Sequence, residues 1–260
     1  MDLDLKNKVG IITGASRGIG AEIARELARE GCSLLLTARS AAELTRLASE
    51  VHSLGGRALA HPADLCKPPV AAALVLAAVA EFGRIDFLVT AAATSKPGDF
   101  LDLTDDDWQE GFALKFFSHM RLIRAAWPQL KASSGSIVMI AGAAGRTPNN
   151  IGMIAGAVNS TLMNMTKALA ARALPDGIRV NAINPGPVRT DRFMSRLQKT
   201  AQATGRTEAE ALRKVVAENN IIRIGEPEDI ACMVSFIVSR RGSYIHGALI
   251  DVDGGRTKSV

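Results

Sequence analysis

The feature that most constrains this chain is a short apolar run, Val9 to Thr13, that passes directly into Gly14-Ala15-Ser16-Arg17-Gly18-Ile19-Gly20 and then into helical periodicity. A strand, a glycine-rich turn and a helix in that order open a βαβ unit. Glycines at 14, 18 and 20 allow a tight turn and close approach of another group to the backbone. The helix that follows offers free N–H groups and a positive dipole at its N-terminus, which together suit a diphosphate. The whole segment 14–20, Ser16 and Ile19 included, is therefore expected to line a dinucleotide cleft.

Further along, strand-like apolar runs recur at Leu34 to Ala38, Ala58 to Ala60, Ile85 to Thr90, Ser136 to Ile140, Arg179 to Ile183 and Ala248 to Val252, with helical periods between them. Strands that are apolar nearly throughout, separated by helices, require a parallel sheet covered on both faces. The expected fold class is α/β, a Rossmann-type doubly wound parallel sheet of about seven strands. At 260 residues and 47% hydrophobic, the chain is expected to form one domain, 1–260. A polar helical insertion, Thr190 to Asn220, lies between the last two strands and is expected to act as a substrate lid.

The end of the second strand selects the nucleotide. A carboxylate there would bond a ribose 2′-hydroxyl and repel a 2′-phosphate, but the sequence reads Thr37-Ala38-Arg39-Ser40. Arg39, with Arg17 in the glycine turn, can make charge-assisted bonds to a phosphate. NADP(H) in preference to NAD(H) is the expected cofactor.

Charge and cysteine usage exclude other classes. The net charge of +5 comes from Lys and Arg interspersed with acids, which argues against a nucleic-acid partner. A basic stretch from Arg189 to Lys214 includes Arg192 and Arg196, and suits either an anionic small-molecule substrate or a solvated helix face. The N-terminal ten residues lack an apolar run, and the longest such run, Val70 to Ala80, is too short to span a bilayer, so no membrane insertion is expected. Cys32, Cys66 and Cys232 are scattered and form no CxxC pair, giving no sign of a disulfide framework or a metal site and fitting a reducing cytoplasm.

Several motifs together resemble the short-chain dehydrogenase/reductase family over nearly the whole chain. They are TGASRGIG, the pair Asp64-Leu65, the run Asp86-Phe87-Leu88-Val89, the segment Asn184-Pro185-Gly186-Pro187-Val188-Arg189-Thr190, and Asp253-Gly254-Gly255. The resemblance implies that Asp64 bonds the adenine and that Pro185, Gly186, Val188 and Thr190 cradle the nicotinamide carboxamide. Leu65 and Ala91, at the ends of the third and fourth strands, join the cofactor-binding set. The family also implies a homo-oligomer, a dimer of dimers, paired through helices that correspond here to Thr104 to Gln129 and Gly152 to Arg172.

The catalytic positions depart from the family pattern. Flanking similarity places Gly142 at the family's serine, Ala155 at its tyrosine, Asn159 at its lysine and Lys115 at its asparagine, while Thr90-Ala91-Ala92-Ala93 replaces its Asn-Asn-Ala-Gly. The lone tyrosine, Tyr244, lies beside the last strand, far from the required helix. Lys115 becomes the candidate catalytic residue, since a desolvated lysine can titrate near neutrality and serve as acid or base. His119, one turn further on, can share its helix face. Asn159 can still bond the nicotinamide ribose, and Asn149 and Asn150 border the substrate region. Three functions stay open: an NADP(H)-dependent oxidoreductase with a non-standard site, acting on a small carbonyl, alcohol or activated alkene; a non-redox enzyme on the same scaffold; and a silent nucleotide-binding protein.

Overall fold

Alternation of apolar side chains along the strands decides the layers. In the computed structural model, which describes residues 2–258, Ile11, Leu35, Leu88 and Met139 belong to the core on one face of a sheet. Their strand neighbours Ile12, Leu34, Leu36, Val89 and Val138 belong to the core on the other. The strands are β1 (Val9–Thr13), β2 (Ser33–Thr37), β3 (Arg57–Ala60), β4 (Phe87–Thr90), β5 (Ser136–Ile140), β6 (Arg179–Pro185) and β7 (Leu249–Val252). The helices are α1 (Gly18–Arg29), α2 (Ala41–Ser53), α3 (Val70–Phe82), α4 (Asp105–Phe112), α5 (Ser118–Ser133), α6 (Met153–Ala173), α7 (Asp191–Ala203), α8 (Glu208–Asn219) and α9 (Pro227–Val238).

All seven strands pair in parallel in the order β3-β2-β1-β4-β5-β6-β7. Helices α1, α2 and α9 cover one face through Ile23, Leu27, Leu44, Leu47, Ile230 and Val234. Helices α3, α5 and α6 cover the other through Leu74, Leu122, Ile123, Leu130 and Leu162. The doubly wound expectation holds. Because strand order reverses between β1 and β4, a crevice opens at their carboxyl ends, where such folds take ligands.

Two sequence features prove to set the sheet. Gly10 faces Phe87 across the β1–β4 register, and a Cβ on Gly10 would fall 1.9 Å from the Phe87 ring, so only glycine admits that aromatic side chain. Buried Asp86 accepts the Val9 N–H at 2.9 Å and bonds Arg84 at 2.6 Å, tying the start of β4 to the start of β1. Asp86 is thus a structural residue of the motif that contains it.

The long helix expected over Thr104 to Gln129 is present and contains an unforeseen irregularity. It forms as α4 and α5, separated by a π turn over Ala113–Phe117. Leu114 and Phe116 pack against the core, while Lys115 between them reaches the end of β5. A π turn absorbs an extra residue and redirects its side chains, and it recurs at functional sites. The insertion between β6 and β7 forms α7 and α8, which share a small apolar cluster of their own built on Leu197, Ala201 and Ala211. Among the described residues, no helix is long and apolar enough to cross a membrane.

Candidate functional site

Where β1 ends, the hydroxyl of Thr13 accepts the N–H groups of Ala91 and Ala92 at 3.0 and 3.2 Å, binding the turn to the end of β4. Gly14 and Gly18 have φ of +66° and +58°, the left-handed region that favours glycine. A Cβ at Gly20 would lie 2.3 Å from the carbonyl oxygen of Gly14, and one at Gly14 would lie 2.8 Å from the Ala92 backbone. Neither atom can yield without moving main chain.

Helix α1 begins at Gly18 with no side-chain cap and no acid in its first turn, so its leading N–H groups and dipole face the crevice unopposed. The crevice is about 780 Å³, and its lining includes the glycine turn with Ser16, Arg17 and Ile19, together with Arg39, Leu65, Ala91 and Thr190. Arg17 and Arg39 make no ion pair among the described residues. A bare backbone cradle beside two free guanidiniums suits a diphosphate carrying one further phosphate. Asp64 is placed differently from its neighbours: its carboxylate accepts the Cys66 N–H at 3.0 Å, while Ala63 and Leu65 on either side line the crevice. Glu43, unforeseen, also lines the crevice beside Arg39 and Ser40.

A second cavity of about 320 Å³ adjoins the first, sharing Ile19, Ala91, Thr94, Ser95 and Thr190 with it. Lys115, Gly142, Ala155 and Asn159 all line it, as do Pro185, Gly186 and Val188. The positions assigned from the sequence therefore converge in space, although they come from three separate stretches of chain. Gly186 packs so closely on the β7 end that a Cβ would fall 2.7 Å from the Asp253 Cα, and its N–H bonds Val252 O at 3.1 Å. The Thr190 hydroxyl caps α7 by accepting the Phe193 N–H at 3.3 Å.

Lys115 is partly buried, and its ammonium donates to Ala141 O at 2.7 Å and to Asn159 Oδ1 at 2.6 Å. Desolvation, reinforced by the Arg192 cation, lowers its pKa from 10.5 to about 7. A Cβ at Gly142 would sit 2.8 Å from Asn159 Nδ2, so a larger residue there would have to displace the Asn159 side chain. Among the described residues no carboxylate lines this cavity, whereas Arg192, Arg196 and Arg256 do. Arg256 had no signal in the sequence beyond its place after the final glycine pair.

Other candidates fall outside. His119 is buried with Nε2 3.1 Å from Ala92 O and Nδ1 without a partner, and burial together with Lys115 pushes its pKa down to about 3. It is a neutral packing residue. Asn149 accepts the Gly152 and Ile151 N–H groups at 2.7 and 3.2 Å, and so shapes its own loop. Tyr244 is fully exposed on the segment before β7.

Comparison with known proteins agrees in both sequence and shape. The family model described as enoyl-(acyl carrier protein) reductase matches residues 14–257. The oxidoreductase UcpA of Escherichia coli K12 is 33% identical over 255 residues, 97% of this chain and 95% of that protein. An oxidoreductase of Mycobacterium tuberculosis is 32% identical over 255 residues, 97% of this chain and 93% of its own length. The crystal structure of L-sorbose reductase from Gluconobacter frateurii, complexed with NADPH and L-sorbose, superposes with a TM-score of 0.96 at 32% identity over 100% of both chains.

Proposed function

Because the chain belongs to the short-chain dehydrogenase/reductase family and is an oxidoreductase of that type, we propose that it moves hydride between NADP(H) and a small organic carbonyl, alcohol or activated alkene, with Lys115 carrying the proton. One observation carries this reading. The family pattern puts an asparagine at the position of Lys115 and a lysine at that of Asn159; here the two are exchanged and joined by a 2.6 Å hydrogen bond. The ammonium enters the same cavity from the π turn instead of from α6.

When bound, the nicotinamide supplies or accepts the hydride. In this reading the glycine turn and the N-terminus of α1 hold the diphosphate, and Arg17 and Arg39 favour a 2′-phosphate over a bare ribose. That the similar L-sorbose reductase was crystallised with NADPH supports the choice. Pro185, Gly186, Val188 and Thr190 border the end of the crevice nearest Lys115. Asn159 fixes the lysine head group, and Gly142 and Ala155 leave space for the substrate where the family carries a hydroxyl and a phenol.

With two of its three N–H groups committed to Ala141 O and Asn159 Oδ1, the Lys115 ammonium keeps one for a substrate oxygen. In reduction Nζ protonates the forming alkoxide; in oxidation the neutral amine removes the hydroxyl proton. Since the group titrates near 7, carbonyl reduction slows as pH rises through neutrality and alcohol oxidation quickens.

Following absorbance at the nicotinamide band while offering carbonyls, enones and alcohols tests the proposal. NADPH consumption with a 1:1 product supports it. Product formed without cofactor turnover moves the protein to the non-redox class. Helices α4, α5 and α6 also carry the proposed pairing into a dimer of dimers, with Phe117 half exposed beside them. Light scattering that shows a monomer at micromolar concentration contradicts this assembly. The α7–α8 pair takes the part of the substrate lid.

A further inference from the structure

Several guanidiniums of this protein are held by carboxylates. Arg25, Arg29, Arg172, Arg189 and Arg223 each meet a Glu or Asp at 2.6–3.3 Å. In the smaller cavity the pattern changes. Arg192, Arg196 and Arg256 line it alongside Lys115, and among the described residues none of the three makes an ion pair. Arg192 donates to the carbonyl of Ser95 at 3.2 Å.

The cations come from two unrelated segments. Arg192 and Arg196 stand one turn apart on α7 and lie on the same face of it. Arg256 follows the Gly254–Gly255 turn, whose φ values of +67° and +89° bend the chain back after β7. The carboxylate nearest to it in sequence is already engaged: Asp253 accepts the N–H groups of Gly255 and Thr257 at 3.0 and 2.7 Å. Desolvation lowers the pKa of both Arg192 and Arg256, and Arg196 and Arg17 lower that of Arg192 further. Although the Asp253 carboxylate acts on Arg256, like charges gathered in one cavity repel one another, and a bound anion relieves that repulsion.

We infer that the substrate carries an anionic group, a carboxylate or a phosphate, held by Arg256 and Arg196 in the cavity that presents Lys115 to the substrate oxygen. The inference rests on the proposed reading that this cavity is the substrate site. The anion is not one of the nucleotide's own phosphates, because Arg256 lines the smaller cavity alone, whereas Arg192 and Arg196 line both. Fork-shaped guanidiniums bind either oxyanion in two-point geometry.

Calorimetric titration with inorganic phosphate and with malonate, on protein saturated with NADP⁺, separates the two oxyanions and keeps the nucleotide crevice filled. One probe should bind at a single site. Arg256→Gln should weaken it at least about 10-fold, as expected for the loss of a charge-assisted bond, with NADP⁺ affinity within about twofold of the parent by the same principle of local contacts. Arg196→Gln, on an exposed helix face, provides a second variant if Arg256→Gln folds poorly, and the exposed Arg124→Gln should change nothing. Absence of binding by either probe, unchanged binding in both arginine variants, or complete displacement of the anion by NADP⁺ overturns the inference. If NADP⁺ itself fails to bind, the cofactor reading falls, and the same titrations on the free protein still decide whether Arg256 holds an anion.

Discussion

The two halves of the crevice hold on to their purpose by different means. The nucleotide half is made of backbone: the 14–20 turn, the uncapped start of α1 and the Gly186 contact each depend on the absence of a side chain. The half assigned above to proton transfer is made of side chains, with Gly142, Ala155, Asn159 and Lys115 lining one cavity. Binding through main-chain N–H groups tolerates no change at a few glycines and is indifferent to most other residues. Proton transfer tolerates wide exchange, provided that some titratable group reaches the reacting atom.

The sharpest way to break this contrast is to place a side chain in the backbone half. Gly20→Val sets a Cβ 2.3 Å from Gly14 O and must displace the turn. Losing two charge-assisted backbone bonds, at about 1.5–3 kcal/mol each, should lower NADPH affinity by about 10²–10⁴-fold in a fluorescence titration. Near-normal binding would show that the cradle is looser than the glycine contacts require.

The matching change in the side-chain half is Lys115→Met. Turnover should drop by about 10²-fold or more while NADPH affinity stays nearly unchanged, because in the proposed function the ammonium acts on the substrate and not on the phosphates. A steady-state assay paired with nucleotide titration separates the two effects. Equal losses in both would merge the halves into one unit.

A smaller effect is expected at the rim. Arg39→Glu should remove the preference for NADPH over NADH by about 10–100-fold, the worth of one charged bond to the 2′-phosphate. Glu43 already lines that rim, so an added carboxylate should also favour NADH. An unchanged NADPH:NADH ratio of kcat/KM would show Arg39 to be a surface charge.

The last effect concerns stability. Lys115 titrates near 7 when folded against 10.5 in its ordinary state, so between those values the unfolded chain binds the proton and the native one does not. Stability therefore rises with pH across that window and gains nothing from this group below about pH 7, where both states are charged. Melting temperatures taken from pH 7 to 10 should show a rise that Lys115→Met flattens.

Much of the framework was legible because parallel strands must be apolar on both faces. The runs at Val9 to Thr13 and Ser136 to Ile140 match β1 and β5 in full. Edges moved where pairing, and not hydrophobicity, sets the limit: β6 continues to Pro185 because that residue still pairs with Val252. The glycine turn was equally readable, since its geometry is a property of residue type. The partnership of Lys115 with Asn159, residues 44 apart in sequence, was not, because only the packing of α6 beside the π turn brings them together. Nor was the π turn itself, as Ala-Leu-Lys-Phe-Phe contains no glycine or proline to mark a break. Arg256 escaped notice because its position depends on the fold of the whole chain.

That π turn also bears on how such a site can change over time. A turn that stores one surplus residue lets a catalytic side chain be aimed by the length of the chain as well as by its spelling. Deleting a single residue within Ala113–Phe117 would restore ordinary helix and swing the lysine by about 100°, one residue's rotation, away from Asn159. A lineage carrying this bulge can therefore break the Lys115–Asn159 pair, or recover it, by a one-codon insertion or deletion that leaves the sheet and the glycine turn untouched.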